Sequence, residues 1–314
     1  DKRIAEGITM TGQYIIRYVA KKLNEYLNKI CKTKDIDYSF YSDTDSTYIT
    51  LGTFVEQNFP DKTNKEISIL LDKFCETALS KVIDKAVDDI FKYVNVYQKK
   101  LSFKREVIAD SGVWLAKKRY ALNVYDSEGV VYEKPKLKVQ GMEIVRSSTP
   151  ASVRSTLKES VNIVLTKDEE TLRKYVRDIE DRWHKLPPPD IAFPRTVNNV
   201  TEYKDSNSIF RKGTPIHVKG ALMYNHLLVT KNLQQKYQEI YDSDKIKFVY
   251  LKKQNPLGVN VITFRSEIPP EFRLDDYVDY DMMFSKAYLE PLQSLLNVVG
   301  WSVKEQATLE GLFG

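Results

Sequence analysis

Two aspartates in the segment 41–46, which reads YSDTDS, have the types and spacing for metal chemistry. Short strands are predicted on either side, at 37–40 and 47–51, so Asp43 and Asp45 would share the rigid tip of a hairpin. Holding two carboxylates close together costs free energy, which a divalent cation offsets. Magnesium takes one or two protein carboxylates plus substrate phosphates, and two ions about 4 Å apart stabilise both the attacking and the leaving oxygen of a phosphoryl transfer. The pair therefore predicts a magnesium site for phosphoryl transfer.

A calcium loop and a solvated turn compete with magnesium as interpretations of this acidic pair. A calcium-binding EF-hand loop needs Asp or Asn at its fifth position and Gly at its sixth, where this chain has Thr47 and Tyr48, so the loop is excluded. A solvated turn without a ligand is the commoner role of an isolated Asp-x-Asp pair. The pair alone therefore leaves the choice open.

A basic run, Lys117-Lys118-Arg119-Tyr120, is the second feature with chemical potential. Residues 113–125 read as one strand, and strand alternation would place Lys118 and Tyr120 on one face with Lys117 and Arg119 on the other. One cation could then reach the minor groove of a duplex while its neighbour reaches a phosphate. From residue 99 to 158 there are 13 Lys and Arg against 6 Asp and Glu, within a net charge of +5 for the 314 residues. Such a segment is typical of a polyanion-binding surface, and a solvated charged face is the alternative.

The elements that must position these residues predict an α+β fold. Apolar residues recur at helical spacing over 3–32 and 65–93, and strands are predicted at 102–109, 113–125 and 130–139 with a turn at 126–129. The polar break 146–150 marks a domain boundary. Beyond it the pattern predicts helices at 151–165, 169–186 and 284–299 and strands at 245–252 and 259–265.

Composition excludes several classes of protein. No apolar run approaches the roughly 18 residues of a membrane span, so no membrane association is expected. Cys31 and Cys75 form no CxxC motif and are expected to be structural thiols of a reducing cytoplasm. The three histidines lie far apart, which argues against a zinc site.

The motifs together resemble one family. YSDTDS is similar to the Tyr-Gly-Asp-Thr-Asp-Ser palm motif of family B DNA polymerases, and Lys117–Tyr120 looks like their primer-grip motif. AEGITMTGQ at 5–13 looks like the stretch that follows the fingers helix in these enzymes. Later stretches, in the same order, resemble the T-even-type phage subgroup in particular: KLK at 136–138 with Gly141, SSTP at 147–150, the segment 217–225 and NPLG at 255–258. The chain is thus identified as similar to the carboxy-terminal part of such a polymerase.

The resemblance implies domains and a metal site. Residues 1–146 would be the second part of the palm, an antiparallel sheet with helices; 147–300 a mostly helical thumb with a small β region; and 301–314 a clamp-binding tail. Asp45 would be the main ligand and Asp43 the supporting ligand of two Mg²⁺ ions that use deoxynucleoside triphosphates. Glu106 is a candidate third ligand, although many relatives have this acid two residues earlier, where Lys104 stands. Ser42 replaces a family glycine, which would matter if that position needed a positive φ.

The resemblance also implies contacts with partners. Primer–template DNA would be held by Lys117, Lys118, Arg119, Tyr120, Lys136, Lys138, Lys219 and Tyr224. A sliding clamp would bind a short terminal peptide that has three apolar side chains and one polar side chain: Gln306, Leu309, Leu312 and Phe313. For an eight-residue match, a terminal segment without a partner is about as frequent.

Some parts of a family B polymerase are expected in another chain. The first palm aspartate, the fingers and the exonuclease precede the matching segments in the family, so an amino-terminal polymerase chain is an expected partner. A naturally split enzyme and a fragment both remain open. The alternative function is a non-catalytic DNA-binding and clamp-tethering module, and a metal-dependent nuclease is a weaker hypothesis. The expected location is the cytoplasm of an infected bacterium.

Overall fold

The computed structural model describes residues 1–142, 144, 146–205 and 208–303. They form an α+β fold, as predicted. Two compact units divide the chain: the first contains Asp1–Gly112 and Ala116–Lys138, and the second contains Val113–Leu115 and the described part of the chain from Val139 onward. The first unit ends at Lys138, before the polar break at 146–150. The boundary between palm and thumb therefore stays a prediction.

Two long helical stretches build the core of the first unit. Helix α1 (Lys2–Ile30) packs on α4 (Ser80–Tyr93), which continues from α3 (Asn64–Phe74) through a π-helical turn at Cys75–Leu79. A capping box starts α3, with Thr63 and Glu66 bonding to each other's backbone N–H groups. The core residues that share this packing are Ile15, Val19, Leu23, Leu27, Cys31, Tyr38, Leu79, Ala86, Val87 and Ile90.

Both cysteines are thiols in this unit, in line with the structural role expected of them. Cys31 is buried in the core, and Cys75 starts the π-helical turn. Burial raises the pKa of the Cys75 thiol to about 11, so it stays protonated at neutral pH.

The short helix α2 (Gly52–Asn58) was not predicted.

The acidic hairpin has shorter strands than predicted. Strand β1 (Tyr41–Asp43) pairs antiparallel with β2 (Ser46–Tyr48). The predicted strand at 37–40 was wrong. Tyr38 O accepts a hydrogen bond from Thr50 N at 2.8 Å, but Ser39 N donates to the side chain of Asn24, at 2.9 Å from Oδ1, and so does not extend a strand ladder.

A three-stranded sheet follows, in the order β3 (Val107–Ala116), β4 (Arg119–Ser127), β5 (Val130–Gln140). The single strand predicted at 113–125 was wrong, since the chain turns at Lys117 and Lys118. Lys118 adopts a left-handed conformation with φ 62°, which ends the alternation on which its predicted face depended. The turn predicted at 126–129 is confirmed, with positive φ at both Glu128 and Gly129.

The second unit starts with a group of helices: α5 (Ala151–Thr166), α6 (Glu169–Trp183) and the short α7 (Pro188–Ile191). Later come α8 (Val200–Tyr203), α9 (Ile216–Thr230) and α10 (Tyr280–Phe284), which runs through a π-helical turn into α11 (Glu290–Val299). Short 3₁₀ turns lie at Pro270–Phe272 and Asp275–Tyr277. In the part of the chain that the structure describes, no helix has the length and apolar character to cross a membrane.

A second three-stranded antiparallel sheet, β6 (Phe193–Thr196), β7 (Lys245–Tyr250), β8 (Val261–Phe264), completes this unit. Helix α9 packs closely on β8, and Gly220 of α9 lies against Thr263. Because α9 also contacts β7 and α8, residues on more than one side of it are buried.

Candidate active site

The acidic hairpin holds its two carboxylates at a tight turn. Asp45 N donates to Asp43 O at 2.6 Å, and Ser46 Oγ donates to the same carbonyl at 3.1 Å. The left-handed residue of the turn is Thr44, with φ 53°, whereas Ser42 pairs with Thr47 in the strand ladder. The positive φ of the turn lies at Thr44, so position 42 does not need the glycine that the family usually has there.

The two aspartates differ in their surroundings. Asp43 accepts a hydrogen bond from Thr44 Oγ1 at 3.1 Å and forms an ion pair with Lys118, whose Nζ lies 3.4 Å from Oδ1. Its side chain is 22% exposed, while Asp45 is open to solvent. Two oxygen donors at one turn fit Mg²⁺, which completes its coordination with water and substrate phosphates.

Within the described part of the chain, the hairpin gains no third His, Cys, Asp or Glu ligand. Among the described residues, no group of three or more His, Cys, Asp and Glu side chains is arranged to hold a metal ion. Glu106 is exposed, and its carbonyl accepts from Glu128 N at 2.7 Å. Its role as a metal ligand thus stays a prediction.

Three tyrosines connect the acidic hairpin to the basic turn. The Tyr48 ring lies 5.5 Å from the rings of both Tyr41 and Tyr120, and Tyr48 Oη donates to Tyr120 Oη at 2.8 Å. The Tyr41 hydroxyl accepts a hydrogen bond from Lys118 N at 2.8 Å. The YSDTDS and KKRY motifs, far apart in sequence, therefore meet in one site.

Sequence reasoning missed the part played by Tyr41 and Tyr48. Strand register was the available signal, because Tyr41 and Tyr48 are direct partners across the hairpin. Burial raises the pKa of Tyr48 well above its usual range, aided by the bond to Tyr120 and the negative charge of Glu106. The phenol therefore stays protonated and keeps its donor role.

The remaining predicted contacts of the first unit lie on the sheet. Lys117 is exposed, Arg119 is half-buried, and Tyr120 is 8% exposed within the tyrosine cluster. On β5, Lys136 is exposed with its Nζ 3.9 Å from the centre of the Tyr132 ring. Lys138 is half-buried on the same strand.

Two predicted contacts lie in the second unit. Lys219 Nζ donates to Asn260 Oδ1 at 3.1 Å and lies 5.0 Å from the centre of the Phe210 ring. Tyr224 is only 3% exposed and packs edge-on against Phe272. This placement makes Tyr224 a packing residue of the core, so the structure gives no support to a DNA contact there. The predicted clamp-binding residues Gln306, Leu309, Leu312 and Phe313 lie outside the described residues.

Comparison with known proteins finds a family model that matches the segment containing this site. A family model described as divergent family B DNA polymerase matches residues 29–178, a segment that includes both the acidic hairpin and the basic turn. Residues 29–178 thus carry a divergent family B DNA polymerase domain, which confirms the resemblance drawn from the motifs.

Two individual relatives are DNA polymerases of phages. Over its whole length the chain is 33% identical to a DNA-directed DNA polymerase of Enterobacteria phage T4 and 32% identical to one of Escherichia phage RB69. In each case it corresponds to the carboxy-terminal part of the relative and spans 36% of its length.

Proposed function

We propose that this chain contributes to template-directed DNA synthesis as part of a family B DNA polymerase. The observation that carries the proposal is the meeting of Asp43 and Lys118 in one site, within a chain similar throughout to the carboxy-terminal part of two phage polymerases. The hairpin would serve nucleotide addition and the basic turn the primer end.

The residues of the site suit separate tasks in this reaction. Asp45, exposed at the tip, and Asp43 would hold Mg²⁺, which when bound stabilises charge on the transferred phosphoryl group. The substrates would be deoxynucleoside triphosphates. Lys117, Lys118 and Arg119 offer cations to the primer backbone, where contacts position the duplex without reading its sequence. Tyr120 fixes the turn through its bond to Tyr48.

The remaining catalytic groups would come from an amino-terminal polymerase region. The exposed start of α1 suits such a contact, because Ile4, Ile8 and Met10 are 65%, 70% and 62% exposed, and a large exposed apolar surface marks an interface. Primer–template DNA and a sliding clamp would be the other partners, inside an infected bacterial cell. A naturally split enzyme and a fragment are both compatible with this assignment.

Reconstitution tests this proposal directly. We expect no primer extension by the chain alone and Mg²⁺-dependent extension after an amino-terminal polymerase chain, carrying the first palm aspartate and fingers, is added. The Ile4→Glu/Ile8→Glu variant should weaken this assembly in ultracentrifugation, since it charges an apolar face. Val298→Glu, on an exposed position of α11, is the matched control. DNA binding without extension in the mixture would favour the non-catalytic tethering module instead.

A clamp contact by the tail has its own test. Removing residues 309–314 should leave distributive synthesis nearly unchanged and abolish stimulation by the cognate sliding clamp, because a tether acts through effective concentration. Product length at limiting polymerase, with and without the clamp, measures this. If the truncated and full-length chains are stimulated equally, the tail is not the clamp contact.

A further inference from the structure

Lys118 forms an ion pair with Asp43 that either of two ligands of the proposed reaction would break: Mg²⁺ by binding Asp43, or the primer by binding the ammonium group. Its Nζ lies 3.4 Å from Asp43 Oδ1, and its side chain is 60% exposed. Its backbone is fixed by the bond from N to the Tyr41 hydroxyl and by the left-handed turn. The turn thus holds the base of the side chain in place, while the ammonium group on its flexible stem remains free to exchange partners.

Charge balance explains why the ammonium lies there. Asp43 and Asp45 are like charges at one tight turn, and a nearby cation lowers the cost of keeping both ionised. An ion pair this exposed is weak and exchanges readily. A divalent cation bound at the hairpin would neutralise Asp43 more strongly and repel the ammonium at the same time.

We propose that Lys118 is an exchangeable counterion: it neutralises Asp43 before a divalent cation binds, and it moves to the primer end when the cation takes its place. The proposal rests on the proposed function and adds a positioning role in which metal binding and primer binding are coupled. The cation frees the ammonium for the primer, and a primer that draws the ammonium away leaves Asp43 open to the cation. Such coupling is reciprocal.

Side-chain NMR of the full chain with ¹³C-dimethylated lysines tests the exchange. Lys118→Arg and Lys117→Arg assign the two signals of the basic turn. Asp43→Asn and saturating Mg²⁺ should each shift the Lys118 signal in the same direction, because both remove the ion pair. Lys117, exposed at the same turn, is the internal control and should shift much less. A Lys118 signal that ignores Asp43→Asn or Mg²⁺ overturns the proposal.

The coupling is measured at the backbone amide of Asp45. The NMR signal of this amide is followed as Mg²⁺ is added. Primer–template DNA should lower the Mg²⁺ concentration at the midpoint of the titration by about fivefold, which is at the low end of known couplings between sites. Lys118→Asn should lower that midpoint without DNA and remove the effect of DNA, and asparagine tolerates the left-handed turn. Lys134→Asn, at an exposed position of β5, removes the same charge and should retain the effect of DNA. Equal behaviour of the two variants overturns the proposal.

The outcomes separate this inference from the proposed function. If Mg²⁺ shifts Asp45 but not Lys118, the exchange is wrong and the polymerase assignment stands. If Lys118 exchanges as described and the reconstituted mixture extends no primer, the assignment is wrong and the exchange stands. If neither residue responds to Mg²⁺, the exchange is wrong, and if the reconstituted mixture also extends no primer, both are wrong.

Discussion

Asp45→Asn should abolish nucleotide addition by the assembled polymerase while leaving its DNA affinity nearly unchanged. Asn keeps the shape of the side chain and removes the negative charge that a metal ligand needs. Loss of metal stabilisation costs several kcal/mol in the transition state, which corresponds to a rate reduction of about a thousandfold or more. Single-turnover primer extension measures the rate, and fluorescence anisotropy with labelled primer–template measures binding.

Asp35→Asn is the matched control for this variant. Asp35 is also an exposed acid, and its own left-handed backbone, at φ 55°, tolerates asparagine. It lies outside the hairpin, so the substitution should leave extension unchanged. Near-normal extension by Asp45→Asn would contradict the assignment of a metal ligand. An equal loss in both variants would point to a general effect of charge instead.

The local signals in the sequence predicted the acidic turn better than its flanking strands. Asp43 and Asp45 mark the turn by their residue types alone, and Glu128-Gly129 marks the turn between β4 and β5 by its glycine. The segment before Tyr41 has a strand-like composition, yet Asn24 and Asn28 of α1 bind its backbone. Tertiary contacts of this kind override local preference, so the displaced strand could not be predicted.

The turn at Lys118 gave no signal of its own. Left-handed residues are most often Gly or Asn, and neither stands at 117 or 118, so the run from 113 to 125 reads as one strand. The bond between Tyr48 and Tyr120 joins residues 72 positions apart, which no local pattern indicates. The sequence alone predicts the YSDTDS and KKRY motifs separately. Only the fold shows that the two motifs lie next to each other.

Tyr224 is a predicted DNA contact to which the structure gives no support, and a local pattern in the sequence favoured another role for it. The buried residues of α9 include Val218, Gly220, Ala221, Leu222, Met223, Tyr224, Leu227 and Leu228. A helix that is apolar on most of its surface is a buried helix, and that pattern predicts a packing role for its tyrosine.

The packing of α9 leads to a second large expected effect, from Gly220→Ala. A Cβ atom at this position would lie 2.9 Å from Thr263 N and 3.2 Å from the Ile262 carbonyl carbon. These are backbone atoms of β8, which cannot move without disturbing the ladder with β7. Alanine favours a helix over glycine by about 1 kcal/mol, but overpacking a close contact costs about 1–3 kcal/mol, occasionally more. We expect the strain to exceed the helix preference, with a net loss of about 1–2 kcal/mol in the free energy of unfolding.

Gly7→Ala separates the contact from the helix preference. Gly7 also lies within a helix, and a Cβ atom there would meet nothing within 4 Å, so alanine should be neutral or stabilising by up to about 1 kcal/mol. Urea unfolding, with hydrogen exchange of the β8 amides to report on the second unit itself, measures both variants. The two should change stability in opposite directions, because only Gly220 faces a strand. If Gly220→Ala stabilised the protein as Gly7→Ala does, α9 would not lie on β8 as closely as described, and the glycine would have no packing reason to be there.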